Sequence, residues 1–207
     1  MGLVDRIISG HTVIPNDMVT SEHVRVVLEN IEKILGGRLP GDAVEFGCYE
    51  GTTSLFIARL LRLYGTDKRF HVYDSFLGLP DKGPEDGDCQ DYVKGSCQTT
   101  RSRFEANFAE AGVPLPEIHE GWFRDMSGES LPKKICFAFL DGDFYSSVMD
   151  SLVLVYPRMV TGARLIVHDY TYQFLPGVEK ACADFLKWKP EAIVDSGCGG
   201  LGLLVKE

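Results

Sequence analysis

Two rhythms of hydrophobic and polar residues take turns along this chain: short unbroken apolar runs, and apolar positions spaced three or four apart. The wider spacing shows first in TSEHVRVVLENIEKIL, where Val24, Val27, Leu28, Ile31 and Leu35 share one helical face. Ser21 reads as its cap, and Gly36, Gly37 and Pro40 end it. A short β run around Val44 and Phe46 follows, then Gly47 and Gly51 bracket a tight turn. A helical pattern through Leu55, Ile57, Ala58 and Leu61 starts at once, with Thr52 and Thr53 read as cap hydroxyls. Strands are expected at 69–73, 117–120 and 135–140, the last an apolar run (ICFAFL) of the central parallel type. A helix over 100–111 turns Phe104 and Phe108 inward. Another, capped by Ser146 or Ser147, carries Val148, Leu152 and Val155 and stops near Pro157. A fifth strand at 164–167, a helix from Pro176 to about Trp188, and a hairpin around SGCGGLG complete the pattern. Five βα units closed by an antiparallel hairpin make a three-layer αβα sandwich of the Rossmann-like α/β class.

Two stretches stand outside this rhythm. Residues 1–18 are mixed, with Gly10, Pro15 and Asn16 as breakers, and read equally as a lid, a partner arm or a frayed end. The chain is therefore expected as an N-terminal arm or lid (1–20) and one domain (21–207). Residues 77–100 are rich in Gly, Pro and Asp and form a long loop whose acids read as a solvated face. A net charge of −9 excludes the basic stripe of a nucleic-acid surface. No run of about 18 apolar residues is present, so no membrane span is expected. The start MGLVDRIISGH lacks the apolar stretch of a secretory signal, and the six cysteines are scattered without C-x-x-C. Both features point to a cytoplasmic protein with reduced thiols.

Candidate chemistry gathers at the ends of the strands. The spacing Glu45-x-Gly47-x-x-x-Gly51 sets a carboxylate at a strand tip, facing the crevice, and brings bare N–H groups and a positive helix end to one point. A dinucleotide turn of G-x-G-x-x-G type is absent. Glu50 within the turn gives an acidic lip that suits a ligand with a cationic or ammonium end. Asp74 ends the second strand where a ribose diol is gripped, a capping role being the alternative. Trp122 and Phe123, after Gly121, either sandwich a purine or plug the core. Asp141 and Asp143 follow the fourth strand, and His168 and Asp169 follow the fifth. His23, on the first turn of its helix, reads as a surface or cap residue.

AVEFGCYEGTTS, HVYDSFLGLP, EGWF, FLDGDFYSS and IVHDY, in this order, resemble the class I S-adenosylmethionine-dependent methyltransferases. More narrowly they resemble the macrocin O-methyltransferase (TylF/MycF-like) family of sugar and natural-product O-methyltransferases, over about residues 18–207. The resemblance implies a seven-stranded mixed sheet of order 3-2-1-4-5-7-6. It implies that Glu45, Gly47 and Gly51, with Glu50 and Thr52 of the same turn, line the methionine end of the cofactor. Asp74 would hold the ribose, and Ser75, Gly121 and Trp122 the adenine, with Asp141 also in the cofactor set. It further implies a divalent ion, normally Mg²⁺, on Asp141 and Asp169. Where the family has two adjacent acids on the fifth strand, this chain has His168 at the first.

Methyl transfer to a hydroxyl is an in-line displacement, to which alignment contributes roughly 7–11 kcal/mol. Asp141, His168 and Asp143 are the candidate catalytic residues, and Asp141, His168 and Asp169 the candidate metal ligands. Neighbouring strands lie about 4.8 Å apart, so an ion shared between their ends is reasonable. Successive side chains on a strand point to opposite faces, so His168 and Asp169 can serve together only where the chain turns. Three readings of His168 stand: ligand to an ion softer than Mg²⁺, such as Mn²⁺; general base; or structural replacement. Asp143 and Tyr145 are candidates for holding the acceptor, Asp143 alternatively capping the next helix. The expected partner is a small hydroxyl-bearing sugar or glycosylated natural product, with a homodimer through the segment before Thr20 also open. The competing functions are a nicotinamide-dependent oxidoreductase, disfavoured by the glycine spacing, the hairpin and the lack of Tyr-x-x-x-Lys, and a non-catalytic S-adenosylmethionine-binding protein.

Overall fold

The computed structural model describes residues 1–15 and 18–207; Asn16, one of the expected breakers, lies outside the described residues. In chain order the elements are α1 (Leu3–Gly10), α2 (Ser21–Gly36), β1 (Asp42–Phe46), α3 (Thr52–Tyr64), β2 (Phe70–Asp74), α4 (Arg101–Ala111) and β3 (Glu117–Glu120). They continue with β4 (Ile135–Leu140), α5 (Tyr145–Val155), β5 (Met159–Val167), α6 (Pro176–Leu186), β6 (Val194–Asp195) and β7 (Gly202–Val205). The strands form one sheet in the order β3-β2-β1-β4-β5-β7-β6, with β1 to β5 parallel and β7 antiparallel to both β5 and β6. This is the expected architecture.

Alternation along each strand feeds two cores. Ala43, Phe137 and Phe139 pack with α1 to α4, while Val44, Phe46, Ala138 and Leu140 pack with α5 and α6. Every residue of β4 is buried, as an apolar run between two helical layers requires. Val4 and Ile7 of α1 are buried in the first core, so the chain start is not a frayed end. No helix among the described residues is long and apolar enough to cross a membrane.

The helix starts differ from expectation in ways that matter for the site. Thr20, one residue before Ser21, caps α2 by accepting the His23 N–H at 3.2 Å. Gly51, in the left-handed conformation (φ 97°), precedes α3 and supplies no side-chain cap. Thr52 instead accepts the Ile14 N–H at 3.1 Å and fastens the N-terminal segment to the glycine turn. Neither Ser146, Ser147 nor Asp143 caps α5. Asp86, from the 77–100 loop, accepts the Tyr145 N–H at 2.6 Å and the Gly83 N–H at 2.7 Å. Asp86 is fully buried, so the acids of that loop are not all solvated. Gly177 makes room for it: an added Cβ would sit 2.1 Å from the Asp86 carboxylate. Strand β5 begins five residues before the expected position 164, because Gly162 (φ 83°) breaks the apolar pattern without ending the strand.

Two predictions follow from this packing. A Cβ on Gly47 (φ 86°) would lie 1.9 Å from the Asp141 carbonyl oxygen, so Gly47→Ala is expected to cost at least about 1–3 kcal/mol in urea unfolding. Glu191 is buried, which alone would raise its pKa, but Lys206, Tyr156 and the Glu207 N–H donate to it and hold the carboxyl down at about 2. A depressed folded-state pKa contributes stability fully present above the unfolded value of 4.5 and lost as pH falls toward 2. Glu191→Gln should therefore flatten the fall in unfolding free energy between about pH 5 and about pH 2, read by denaturant titration.

Candidate functional site

The carboxyl ends of the parallel strands open into one cleft of about 930 Å³, including its mouth, walled by Gly47, Asp74, Trp122, Asp141, His168 and Asp169 among others. The Gly47 N–H donates to the Tyr73 carbonyl at 2.9 Å, and the Asp141 N–H donates to the Phe46 carbonyl at 2.8 Å. Hydrogen bonds thus carry the ends of β1, β2 and β4 into register at the cleft floor. Asp74 braces the turn: Oδ2 accepts the N–H groups of Cys48 (2.8 Å) and Tyr49 (3.0 Å), and Oδ1 accepts that of Phe76 (2.7 Å). A carboxylate has about four acceptor directions, so capacity remains for a ligand. Ser75 lines the same wall while its hydroxyl accepts the Leu77 N–H at 3.1 Å. Gly121 is tied to the Asp74 carbonyl at 2.9 Å. Both rings after it reach the cleft; Phe123 also packs edge-on against Phe46 at 5.1 Å, joining the core.

Four residues expected at the cofactor do not line the cleft. Glu45 is 1% exposed and accepts the Ser54 hydroxyl from the first turn of α3, because alternation along β1 turns it away from the cleft. Glu50 makes no acidic lip: its carboxylate meets Arg103 at 3.4 Å and its carbonyl accepts Asn107 Nδ2 at 2.8 Å. Gly51 faces the Phe104 ring, where a Cβ would come within 2.8 Å, and Thr52 is committed to Ile14. These residues shape the turn from behind.

Asp141, His168 and Asp169 converge. Asp169 takes φ 56°, so the chain turns at the end of β5 and brings two consecutive side chains to one point. His168 Nδ1 lies 3.3 Å from Asp141 Oδ1 and 2.9 Å from Asp169 Oδ2. Burial opposes the charge on His168, but the two carboxylates outweigh it and hold its pKa well above the usual range. Asp143, buried and also left-handed (φ 57°), is pushed well up by burial, then by the charges of Asp141 and Asp169. His168 Nε2 meets His23 Nδ1 at 3.1 Å, and His23 Nε2 meets the Gly199 carbonyl at 2.9 Å. His23 is therefore part of the site and not a simple surface residue. Nothing at position 23 signals this, since its partners lie 145 and 176 residues away.

Two carboxylates and an imidazole place their ligand atoms within 4.8 Å of one another. Adjacent ligands on an ion with bonds of about 2.1 Å stand about 3.0 Å apart, so the spacing fits a divalent ion. The imidazole favours Mn²⁺ or a similar ion over Mg²⁺.

The family model for macrocin-O-methyltransferase (TylF) matches residues 9–192. The 8-demethyl-8-(2,3-dimethoxy-alpha-L-rhamnosyl)-tetracenomycin-C 4'-O-methyltransferase of Streptomyces olivaceus is 31% identical over 68% of this chain and 57% of its own length. Demethyldecarbamoylnovobiocin O-methyltransferase of Streptomyces niveus is 28% identical over 74% of this chain and 62% of its own. Mycinamicin III 3''-O-methyltransferase of Micromonospora griseorubida is 26% identical over 76% and 66%. The chain thus spans about three-fifths of the length of the curated relatives it matches. In fold it is similar to the O-methyltransferase NovP (TM-score 0.80, 23% identity, 92% of this chain and 81% of that one). It is also similar to the calicheamicin methyltransferase CalS11 (TM-score 0.73, 17% identity, 98% and 89%). A family match over most of the chain, joined to a sheet order and strand-end cleft that agree with it, shows that the chain belongs to the macrocin-O-methyltransferase (TylF) family.

Proposed function

We propose that this chain is an S-adenosylmethionine-dependent O-methyltransferase that methylates a hydroxyl of a sugar or glycosylated natural product. The observation that carries this reading is a single cleft onto which Gly47, Asp74 and Trp122 open from one side and Asp141, His168 and Asp169 from the other. The relatives support it, since those named above are O-methyltransferases of rhamnosyl, novobiocin and mycinamicin compounds.

In this reading the Gly47 turn receives the methionine end of the donor, Asp74 the ribose hydroxyls, and Ser75, Gly121 and Trp122 the adenine. Glu45, Glu50, Gly51 and Thr52 hold the turn in shape. The acceptor lies against Met18, Val19, Leu79 and Pro80, which also line the cleft. Asp141, His168 and Asp169 would hold a divalent ion, which when bound stabilises negative charge on the acceptor oxygen and eases loss of its proton. Asp143, its pKa pushed well up by burial and by its acidic neighbours, hydrogen-bonds Asp169 and keeps that carboxylate aimed at the cleft. His23 keeps the His168 ring from turning. Most of the rate then comes from alignment of oxygen, carbon and sulfur on a floor that does not rearrange.

The direct test is mass spectrometry of glycosylated acceptors incubated with protein and S-adenosylmethionine, where added methyl groups are expected and none on any acceptor would count against the reading. In calorimetry with S-adenosylhomocysteine, Asp74→Ala should weaken binding roughly tenfold or more. Asp74→Asn, which keeps one oxygen acceptor for the turn, reports how much of that loss belongs to the fold. For the metal, Mn²⁺ binding followed by electron paramagnetic resonance should disappear in Asp141→Asn and Asp169→Asn. Turnover should fall with it by about a hundredfold or more; unchanged turnover in Asp141→Asn would rule out the metal assignment.

A further inference from the structure

A second group of potential ligands lies away from the cleft, toward the amino ends of β2 and β3. Pairing of these strands sets His71 opposite Glu117 and Tyr73 opposite His119, so all four side chains share one face. His71 Nδ1 stands 3.2 Å from His119 Nε2 and 3.3 Å from Glu117 Oε2. The three ligand atoms lie within 4.8 Å of one another. A tetrahedral ion with bonds of about 2.0–2.1 Å holds its ligands about 3.3 Å apart. These two separations match that edge.

We propose that His71, Glu117 and His119 form a Zn²⁺ site that staples the edge strand β3 to β2, with the fourth position left to water. Two imidazoles and one carboxylate are a donor set suited to Zn²⁺, and too nitrogen-rich for Mg²⁺ or Ca²⁺. His71 is almost wholly buried, and its Nε2 has no hydrogen-bond partner among the described residues. An ion on Nδ1 sets the ring proton on that orphan nitrogen, which faces the Asp42 carboxylate at 3.8 Å. A carboxylate behind a ligating histidine is a recurrent support of metal sites. Stacking on Tyr73 (4.5 Å, 8°) fixes the His119 ring, and Tyr73 is itself anchored through its hydroxyl to the Ser130 carbonyl at 2.8 Å. Arg69 reaches Glu117 Oε1 at 3.4 Å and Asp42 at 3.3 Å, leaving Oε2 turned toward His71. The Glu117 side chain is half-exposed and leaves a path for the ion.

This site is independent of the methyl-transfer reading and is tested apart from it. Protein carrying Asp141→Asn, which removes a ligand of the cleft cluster, is stripped with chelator, reloaded with Zn²⁺, desalted and assayed for metal. About one Zn²⁺ per chain and a raised thermal midpoint are expected, with tetrahedral visible absorption when Co²⁺ replaces Zn²⁺. Adding His119→Ala or Glu117→Gln should abolish all three. The exposed Glu117→Gln keeps the test decisive if His119→Ala folds poorly. No retained Zn²⁺ in the Asp141→Asn protein, or equal retention after Glu117→Gln and His119→Ala, would overturn the proposal.

Discussion

The α-carbon of Gly47 lies so close to the Asp141 carbonyl that no side chain fits between them. This contact joins the ends of the two central strands, β1 and β4, at the place where both leave the sheet. Everything in the cleft is measured from it. The turn that faces the proposed donor springs from Gly47, and the carboxylate that faces the proposed acceptor springs from Asp141. A larger residue would push apart the two halves of the site as well as destabilise the sheet. Close backbone approach, more than glycine's freedom in a loop, is what the first glycine of the turn supplies.

Around that contact, several acids accept hydrogen bonds from the protein's own N–H and O–H groups. Asp74 holds Cys48 and Tyr49, Asp86 holds Tyr145, and Glu45 takes the Ser54 hydroxyl. Buried carboxylates are costly unless hydrogen-bonded, and these have N–H or O–H donors directed at them. At the cleft floor, by contrast, Asp141, Asp143 and Asp169 crowd round one histidine. Like charges gathered there, with two residues in left-handed backbone, are local disagreements of the kind that functional sites retain.

Most strands and helices are legible in the sequence because their patterns are strong; α1 is not, since residues 1–18 read as a mixed segment with Gly10 among its breakers. The apolar run 135–140 and the four-residue strand 117–120 lie where they were read. The sheet order followed from family resemblance, not from periodicity. Caps were less legible. Ser146 and Ser147 have suitable hydroxyls, yet the acceptor for α5 comes from 59 residues upstream, which no local pattern reveals. Glu45 was misplaced for a different reason. Its position at a strand tip is readable, but alternation along β1 puts it on the face opposite Phe46, toward Ser54 of α3. The meeting of His168 and Asp169 was foreseeable only as a condition, that the chain turn there, and the left-handed Asp169 meets it.

Asp86 also shapes the loop that carries it. By gripping the start of α5 and nesting against Gly177 of α6, it moors the 77–100 segment at one interior point. Leu79 and Pro80, which line the cleft, precede that mooring in the chain, and Cys97, which also lines it, follows. The two flanks are also tied to each other, since the Leu79 N–H donates to the Ser96 carbonyl at 2.8 Å and the Gly95 N–H to the Leu79 carbonyl at 2.9 Å. Asp86 and that pair of hydrogen bonds make the loop a closed unit, which rests on the start of α5 and on Gly177 as one piece.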